Sequence, residues 1–329
     1  MQAHLTDRLL ISIVVPAYDE EVVLCDFHRR LSEVLQGMVC HAEIIYVNDG
    51  STDGTLSAME SLKKADPRVA IVDLSRNFGK EVALTAGLDH ANGDAVVVID
   101  ADLQDPPELI PELVRYFREG YDVVYAQRIS RAGEGFVKRS TAHIFYRLIR
   151  AFSRVKIPED TGDFRLLSRR AVESLKLLRE QHRFMKGLFA WIGYRHKAVP
   201  YNREARLAGH TKWNYWRLWN FALEGFTSFT IAPLKIATYL GIVTALAAFI
   251  YAMRIIYKTL IYGDPVAGYP SLMVAVLFLG GVQLMTIGVL GEYLGRMFDE
   301  TKKRPLYFLN AYKPAESTQK FHASAPTGT

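Results

Sequence analysis

The stretch Ala95–Glu108 (AVVVIDADLQDPPE) constrains the fold more than any other part of the chain. Val96 to Ile99 form a continuous apolar run, the pattern of a parallel strand buried on both faces. The run passes directly into Asp100-Ala101-Asp102, and Pro106 and Pro107 then forbid further pairing. Ligands in open α/β sheets bind just beyond the carboxyl ends of the strands. Two carboxylates are therefore delivered to the edge where a ligand sits. Their spacing suits a hard divalent cation that also holds substrate phosphates. A helix cap or a solvated turn is the alternative for an isolated Asp-x-Asp, so the surroundings decide.

Those surroundings repeat one unit. Leu10–Val15 reads as a strand ended by Pro16, and a helical pattern runs from Tyr18-Asp19-Glu20-Glu21 to about Leu35. Glu43–Val47 is a second strand, followed by the turn-rich Asn48-Asp49-Gly50-Ser51-Thr52-Asp53-Gly54 and another helix. Val69–Leu74 is a third strand, then Ser75–Lys80 and a helix to about Ala91. Ala95–Ile99 is the fourth, Pro107–Arg118 a helix, and Asp122–Ala126 a fifth strand. Strands alternating with helices in this way predict βαβ units and a mostly parallel sheet.

Neither a dinucleotide glycine fingerprint nor a P-loop is present. What remains are polar residues at successive strand ends: Pro16, Tyr18 and Glu20, then Asp49, then Asp100 and Asp102. Acidic strand ends on one edge suggest a nucleotide site, with a base, a ribose and a metal-bridged diphosphate. Asp53 reads as a cap residue.

The second half differs in character. Gly133–Ser140 is a basic-ended loop. His143–Phe152 is amphipathic and fits either a membrane interface or a core-facing helix. Pro158–Arg165 reads as a polar turn carrying Asp160 and Asp163, with a helix after it; Phe184–Ile192 is apolar and Asn202–Lys212 is a basic loop. Trp213–Phe229 concentrates tryptophan, tyrosine and phenylalanine as residues at a bilayer boundary do. Ile236–Met253 carries no charge over about 18 residues and Tyr269–Gly291 none over about 23, enough for two membrane-crossing helices. A buried helical hairpin is the alternative. Arg296, Lys302, Lys303 and Arg304 make the tail more basic than the connector near Lys258 and Asp264. The positive-inside bias puts the large domain and the tail in the cytoplasm. Beyond about Pro314 the tail reads as disordered.

The formal net charge of +5 would serve phosphorylated substrates, anionic lipid or nucleic acid. Cys25 and Cys40 have no metal-ligand spacing and read as ordinary buried or half-buried thiols; His143, His182 and His196 are dispersed. The N-terminus carries Asp7 and Arg8 before any apolar run and does not read as a signal peptide.

Assembled, these pieces resemble a family 2 glycosyltransferase with a GT-A (Rossmann-like) α/β fold, and more closely the bacterial, membrane-anchored polyprenyl-phosphate glycosyltransferases related to dolichyl-phosphate mannose synthase. The resemblance is carried by Val14–Glu20, Val47–Asp53, Ser75–Glu81, Asp100–Pro107, Thr161–Arg165, His182–Phe184 and Gly209–Trp213, in order. In the last of these, Thr211 and Trp213 stand where the family usually has Ser and Tyr. The organisation it implies is a cytoplasmic GT-A catalytic domain over 1–212, an interfacial aromatic helix over 213–232, two transmembrane helices over 233–294 and a cytoplasmic tail over 295–329.

The resemblance implies a metal-dependent hexosyltransferase that moves a sugar from a nucleotide-sugar to undecaprenyl or another polyprenyl phosphate, inverting the anomeric carbon. UDP-glucose is the default donor and a modified aminoarabinose nucleotide the alternative. Pro16, Tyr18, Glu20, Asp49 and Ala101 would hold the nucleotide. Asp100, Asp102 and Gln104 would hold Mg²⁺ or Mn²⁺ bridging the diphosphate, and Lys212 with Arg206 would fold over it. Arg128 and Arg139 match the positions that bind the acceptor phosphate, and Asp163 the family's base. That oxygen is already anionic at neutral pH, since a phosphate monoester has its second pKa near ~6. Asp163 therefore orients the acceptor or takes a residual proton. The implied setting is the bacterial inner membrane and cell-envelope synthesis, multi-pass, with membrane lipids as partners and no nucleic acid. A homo-oligomer, a tetramer among relatives, and a flippase complete the expected partners. A processive polysaccharide synthase is a second reading, although Gln181-His182-Arg183-Phe184 only approaches its Gln-x-x-Arg-Trp motif. A non-catalytic membrane scaffold that binds nucleotide is a third.

Overall fold

The computed structural model describes residues 9–129, 161–201, 232–262 and 268–318. An eight-stranded sheet has the order β7-β5-β6-β4-β1-β2-β3-β8. Its strands are β1 (Leu10–Ala17), β2 (His41–Asn48), β3 (Val69–Leu74), β4 (Ala95–Val98), β5 (Val123–Arg128), β6 (Thr161–Ser168), β7 (His196–Tyr201) and β8 (Leu309–Lys313). The helices are α1 (Glu21–Gln36), α2 (Thr55–Ala65), α3 (Lys80–His90), α4 (Ile110–Arg118), α5 (Arg169–Leu177), α6 (Met185–Trp191), α7 (Ala232–Tyr262) and α8 (Tyr269–Thr301). A single 3₁₀ turn, Pro107–Leu109, precedes α4.

The apolar strands are continuous because both sheet faces are covered. Alternate residues point to opposite faces. Ile11, Ile13, Val15, Ile44, Tyr46 and Val97 pack with Phe27, Leu31, Met59 and Leu113 on one side. Val14, Ile45, Val47, Val96 and Val98 pack with Leu84, Leu88, Val172 and Leu188 on the other. Truncating a fully buried side chain such as Phe27 to alanine costs about 3–5 kcal/mol.

The pairing directions create one functional edge. β4, β1, β2 and β3 run parallel, so their carboxyl ends coincide. β6 runs antiparallel to β4, with Val98 opposite Arg165, so β6 begins where β4 ends. β5 is antiparallel to β6 and β7 parallel to β5, which brings Arg128 and Tyr201 to the same edge.

Several expectations are corrected here. Pro16 does not end the first strand; β1 continues through it to Ala17, with Pro16 opposite Val47. Thr161–Arg165 is not a turn but the first half of β6. Its polar look arises because Arg165 is buried at 4% exposure, bonded to the carbonyls of Gly162 and Asp163 and stacked 3.8 Å over the Phe189 ring. β7 was not anticipated. Cys25 is exposed rather than buried.

The tail also differs from expectation. Leu309–Lys313 pairs antiparallel with β3 as an edge strand, and beyond Pro314 the chain is ordered as far as Thr318, with Ala315 and Thr318 buried. α8 continues to Thr301, where its end meets the large domain. Glu300 accepts from Gln181 N–H at 2.7 Å and His182 lies 3.2 Å from Asp299.

Of the two helices α7 and α8, the stretch Phe278–Thr301 alone is long and apolar enough to cross a membrane among the described residues, and none of it is buried. The apolar part of α7, Ala237–Tyr251, is shorter. Both helices present large apolar side chains outward, including Phe249, Leu260, Leu272 and Leu284. The segments Gly133–Ser140, His143–Phe152 and Trp213–Phe229, the loop Asn202–Lys212 and Asp160 lie outside the described residues.

Candidate active site

At the end of β4 the chain turns sharply. Leu103 is buried at 1% exposure yet adopts the left-handed region, φ 58°, which branched and bulky L-residues rarely enter. The turn sets Gln104 N–H to donate to Asp102 Oδ1 at 3.2 Å. Gln104 Oε1 is buried with no hydrogen-bond partner. Ala101 is buried and Asp100 is half-buried. Asp105, at 1% exposure, accepts the Tyr201 hydroxyl, which is also the acceptor for Arg128 Nε at 3.3 Å. Burial and the Asp105 charge push the Tyr201 phenol well above its ordinary range. Burial works against the Arg128 charge, but Tyr201, Asp105 and Asp100 together stabilise it.

Lys80 joins the two sides of this edge. Its Nζ lies 2.7 Å from Asp100 Oδ2 and 2.6 Å from Asp163 Oδ2. Burial opposes the ammonium charge, yet the two carboxylates outweigh it and hold Lys80 protonated. Burial likewise opposes ionisation of Asp163, but Lys80 and Lys186 hold its carboxyl well below the usual carboxylate range. Asp163 Oδ1 remains buried without a hydrogen-bond partner. Burial raises the Asp100 carboxyl against the pull of Lys80, with Asp163 and Asp105 adding repulsion. One cation thus serves two carboxylates.

Behind this pair lies a second layer of charge. Glu81 accepts from Met185 N–H at 3.3 Å; burial, with the Asp163 charge, pushes its carboxyl up to about 7. Lys186 on α6 is lowered by burial, against the attraction of Asp163. Burial also brings Arg165 down to about 10.

The adjoining part of the edge is built from three loops. Asp49, 3% exposed, accepts from Phe78 N–H at 2.7 Å and Gly79 N–H at 3.0 Å, so its carboxylate ties the loop after β3 to the end of β2. Burial raises it despite those donors. Asp19 accepts from Thr52 N–H at 2.9 Å, and Glu20 N–H donates to Thr55 Oγ1 at 2.9 Å. Tyr18 is exposed and Pro16 buried beneath it. Asp53 accepts from both the N–H and hydroxyl of Thr55, as a cap residue does.

The structure therefore brings Asp100, Asp102, Gln104, Asp163 and Arg128 to one edge, with Tyr18, Glu20 and Asp49 on the adjoining loops. Arg139, Arg206 and Lys212 lie outside the described residues. Among the described residues no three His, Cys, Asp or Glu side chains form a metal-binding group. Asp100, Asp102 and Gln104 offer oxygen donors at the end of β4.

Sequence reasoning passed over Lys80, Asp105, Tyr201 and Lys186 as site residues. For Lys80 a signal existed. A lysine as the first residue of a helix opposes the helix dipole, so it stands there for another interaction. For Tyr201 no local signal existed, because the pairing of β7 with β5 brings it there.

A family model described as glycosyl transferase family 2 matches residues 12–176. One described as the GtrB C-terminal hairpin matches residues 232–297. The chain is 56% identical to an uncharacterized glycosyltransferase of Synechocystis over 91% of this chain and 94% of that one. It is 50% identical to a prophage bactoprenol glucosyl transferase homolog of Escherichia coli K12, over 92% of this chain and 99% of that one. Among solved structures it is similar to mannosyl-3-phosphoglycerate synthase from Rubrobacter xylanophilus, at 20% identity and TM-score 0.47, over 66% of this chain and 71% of that one.

Proposed function

This chain belongs to glycosyl transferase family 2, and from that premise we propose that it transfers glucose from UDP-glucose to a polyprenyl phosphate, giving a single lipid-linked sugar. The similarity to the Escherichia coli bactoprenol glucosyl transferase homolog supports the glucosyl and bactoprenol parts. The observation that carries the reading is the convergence of Asp100 and Asp163 on Lys80, which sets a leaving-group side and an acceptor side a few ångströms apart.

Asp100, Asp102 and Gln104 would hold the divalent cation. All three offer the oxygen donors that Mg²⁺ or Mn²⁺ require. Gln104 Oε1 is a buried acceptor without a donor, and the Asp100 and Asp102 carboxylates belong to the same turn, so the residues fit. When bound, such a cation offsets the charge of the departing nucleoside diphosphate as a Lewis acid.

The chain's own groups do the rest. Tyr18, Glu20 and Asp49, with Pro16 and Ala101 shaping the floor, receive the nucleoside. Arg128, whose guanidinium is fixed by Tyr201, meets the acceptor phosphate; Arg139 joins it, and Arg206 and Lys212 close over the diphosphate. Asp163 is ionised and orients the acceptor. The acceptor oxygen, already anionic, attacks the anomeric carbon from the face opposite the diphosphate, which inverts that centre.

α7 and α8 form the anchor. The outward apolar faces of both helices make a surface that lipid, rather than water, suits. Both helices cross the bacterial inner membrane, with the large domain and tail in the cytoplasm.

The reading is tested with detergent-purified full-length protein, undecaprenyl phosphate, a panel of UDP-sugars and Mg²⁺ or Mn²⁺. One sugar from UDP-glucose appears on the lipid, EDTA stops the reaction, and Asp102→Asn abolishes it without loss of fold. A polymeric product, full activity in chelator, or normal turnover by Asp102→Asn overturns it.

A further inference from the structure

We propose that Lys80 is a positioning residue that makes divalent-cation binding depend on the nucleoside diphosphate. The inference rests on the proposed cation site and concerns the order in which that site fills.

The geometry is a three-centre ion cluster. A single ammonium stands 2.7 Å from Asp100 Oδ2 and 2.6 Å from Asp163 Oδ2. A divalent cation that takes Asp100 as ligand must displace this ammonium or share its carboxylate. Two cations on one carboxylate repel strongly where the surroundings are part-buried and the dielectric low. The Lys80 side chain is 46% exposed, so a displaced ammonium turns to water or stays on Asp163, and either way the Asp100 contact is lost. Lys80 opens α3 behind Gly79, whose neighbouring N–H groups are held by Asp49. On its other side lie Asp163 and, within Coulomb range, a second ammonium from Lys186.

A bare cation therefore binds weakly, because it must break the Lys80–Asp100 contact. A nucleoside diphosphate changes the balance, because its oxygens supply negative charge to both the entering cation and the ammonium. Lys80 then leaves Asp100, stays on Asp163, and lies between the leaving group and the acceptor. The lysine at a helix N-terminus, unfavourable for the helix itself, has its reason in this exchange.

Mn²⁺ binding to the full-length protein in detergent, followed by electron paramagnetic resonance with and without UDP, tests the inference. Wild type binds Mn²⁺ alone weakly, and UDP tightens it by about tenfold or more. Lys80→Met binds Mn²⁺ alone about tenfold more tightly than wild type and loses most of the UDP dependence, and Lys80→Arg restores the wild-type pattern. A merely structural lysine would lower the melting temperature without tightening Mn²⁺ binding. Unchanged Mn²⁺ affinity in folded Lys80→Met, with UDP dependence intact, overturns the role of Lys80 and leaves the cation site standing. No Mn²⁺ binding to any variant, with or without UDP, overturns the cation site and this inference together. Should Lys80→Met not fold, reductive methylation of wild type decides. Labelling of Lys80 relative to exposed Lys64 rises severalfold with Mn²⁺ and UDP together and much less with the same Mn²⁺ alone, and a ratio unchanged by the two together overturns the proposal.

Discussion

Thr318 donates a hydrogen bond of 2.7 Å to the carboxylate of Glu43 across 275 residues of chain. Glu43 is 1% exposed, and its other oxygen accepts from Ser12 Oγ and Asn92 N–H. The segment after the helical hairpin thus completes the solvation of a buried charge in the sheet. Thr318→Val keeps the shape and removes the donor. It lowers stability by about 1.5–3 kcal/mol, the usual cost for a hydrogen bond to a charged group. Deleting residues 309–329 also removes β8 and the Lys313–Glu60 contact at 2.5 Å. Thermal unfolding in detergent shows a larger fall for the deletion than for Thr318→Val. Equal midpoints for all three proteins would mean that the tail contributes nothing to the domain.

Gly50 stands where the loop after β2 meets the loop after β3. Its φ is 64°, and a Cβ there would stand 2.4 Å from Arg76 C and 2.5 Å from Asn77 N. Backbone cannot yield as a side chain end can. Gly50→Ala therefore pushes the 75–79 loop away from Asp49 and costs on the order of 1–3 kcal/mol in strain alone. In steady-state assays KM for the donor rises by about tenfold or more, and KM for the acceptor stays within about twofold. A donor KM that does not change would separate this loop from nucleotide binding.

These relationships explain which parts of the molecule could be read in advance. β1 to β4 were legible because both faces are buried, and such strands announce themselves as unbroken apolar runs. β6 was not, because its middle residue is a buried arginine whose partners are its own backbone carbonyls and the Phe189 ring. β8 was not, because its partner strand lies more than two hundred residues earlier and its outer side faces solvent. Asp100 and Asp102 were legible as a strand end. The place of Asp163 beside Asp100 was implied by resemblance alone, since it depends on β6 running antiparallel to β4. Lys80 was in view as a residue of a motif and out of view as a cation.

Glu81 gives the stability profile a distinct slope. Burial raises its carboxyl from an ordinary value near 4.5 to about 7. Below about 4.5 both folded and unfolded chains are protonated at this site, and it contributes no pH dependence. Between about 4.5 and 7 the unfolded chain has released the proton while the folded chain keeps it. Stability from this group therefore falls as pH rises through that window, and above about 7 the loss is complete. Glu81→Gln removes the dependence. The melting temperature of Glu81→Gln minus that of wild type rises from pH 5 to pH 8. A difference that stays flat, or that shrinks with pH, contradicts the assignment.

Asp163 separates an orienting role from a basic one. Its carboxyl is held ionised well below the usual range by Lys80 and Lys186, so it stays charged across the working pH and is a weak proton acceptor. The acceptor phosphate, with its second pKa near ~6, is the group that titrates. In wild type kcat/KM for polyprenyl phosphate rises with pH through about 6 and then levels. Asp163→Asn keeps the size of the side chain, loses the charge, and leaves Lys80 with Asp100 alone. It lowers kcat by about tenfold to a hundredfold and leaves the acid limb of the profile in place, because that limb belongs to the substrate. If the limb disappears in Asp163→Asn, the carboxylate is the base and the phosphate is not self-sufficient. A thiophosphate acceptor gives the converse check. Its lower second pKa moves the limb to lower pH in both wild type and variant, which no property of Asp163 would produce.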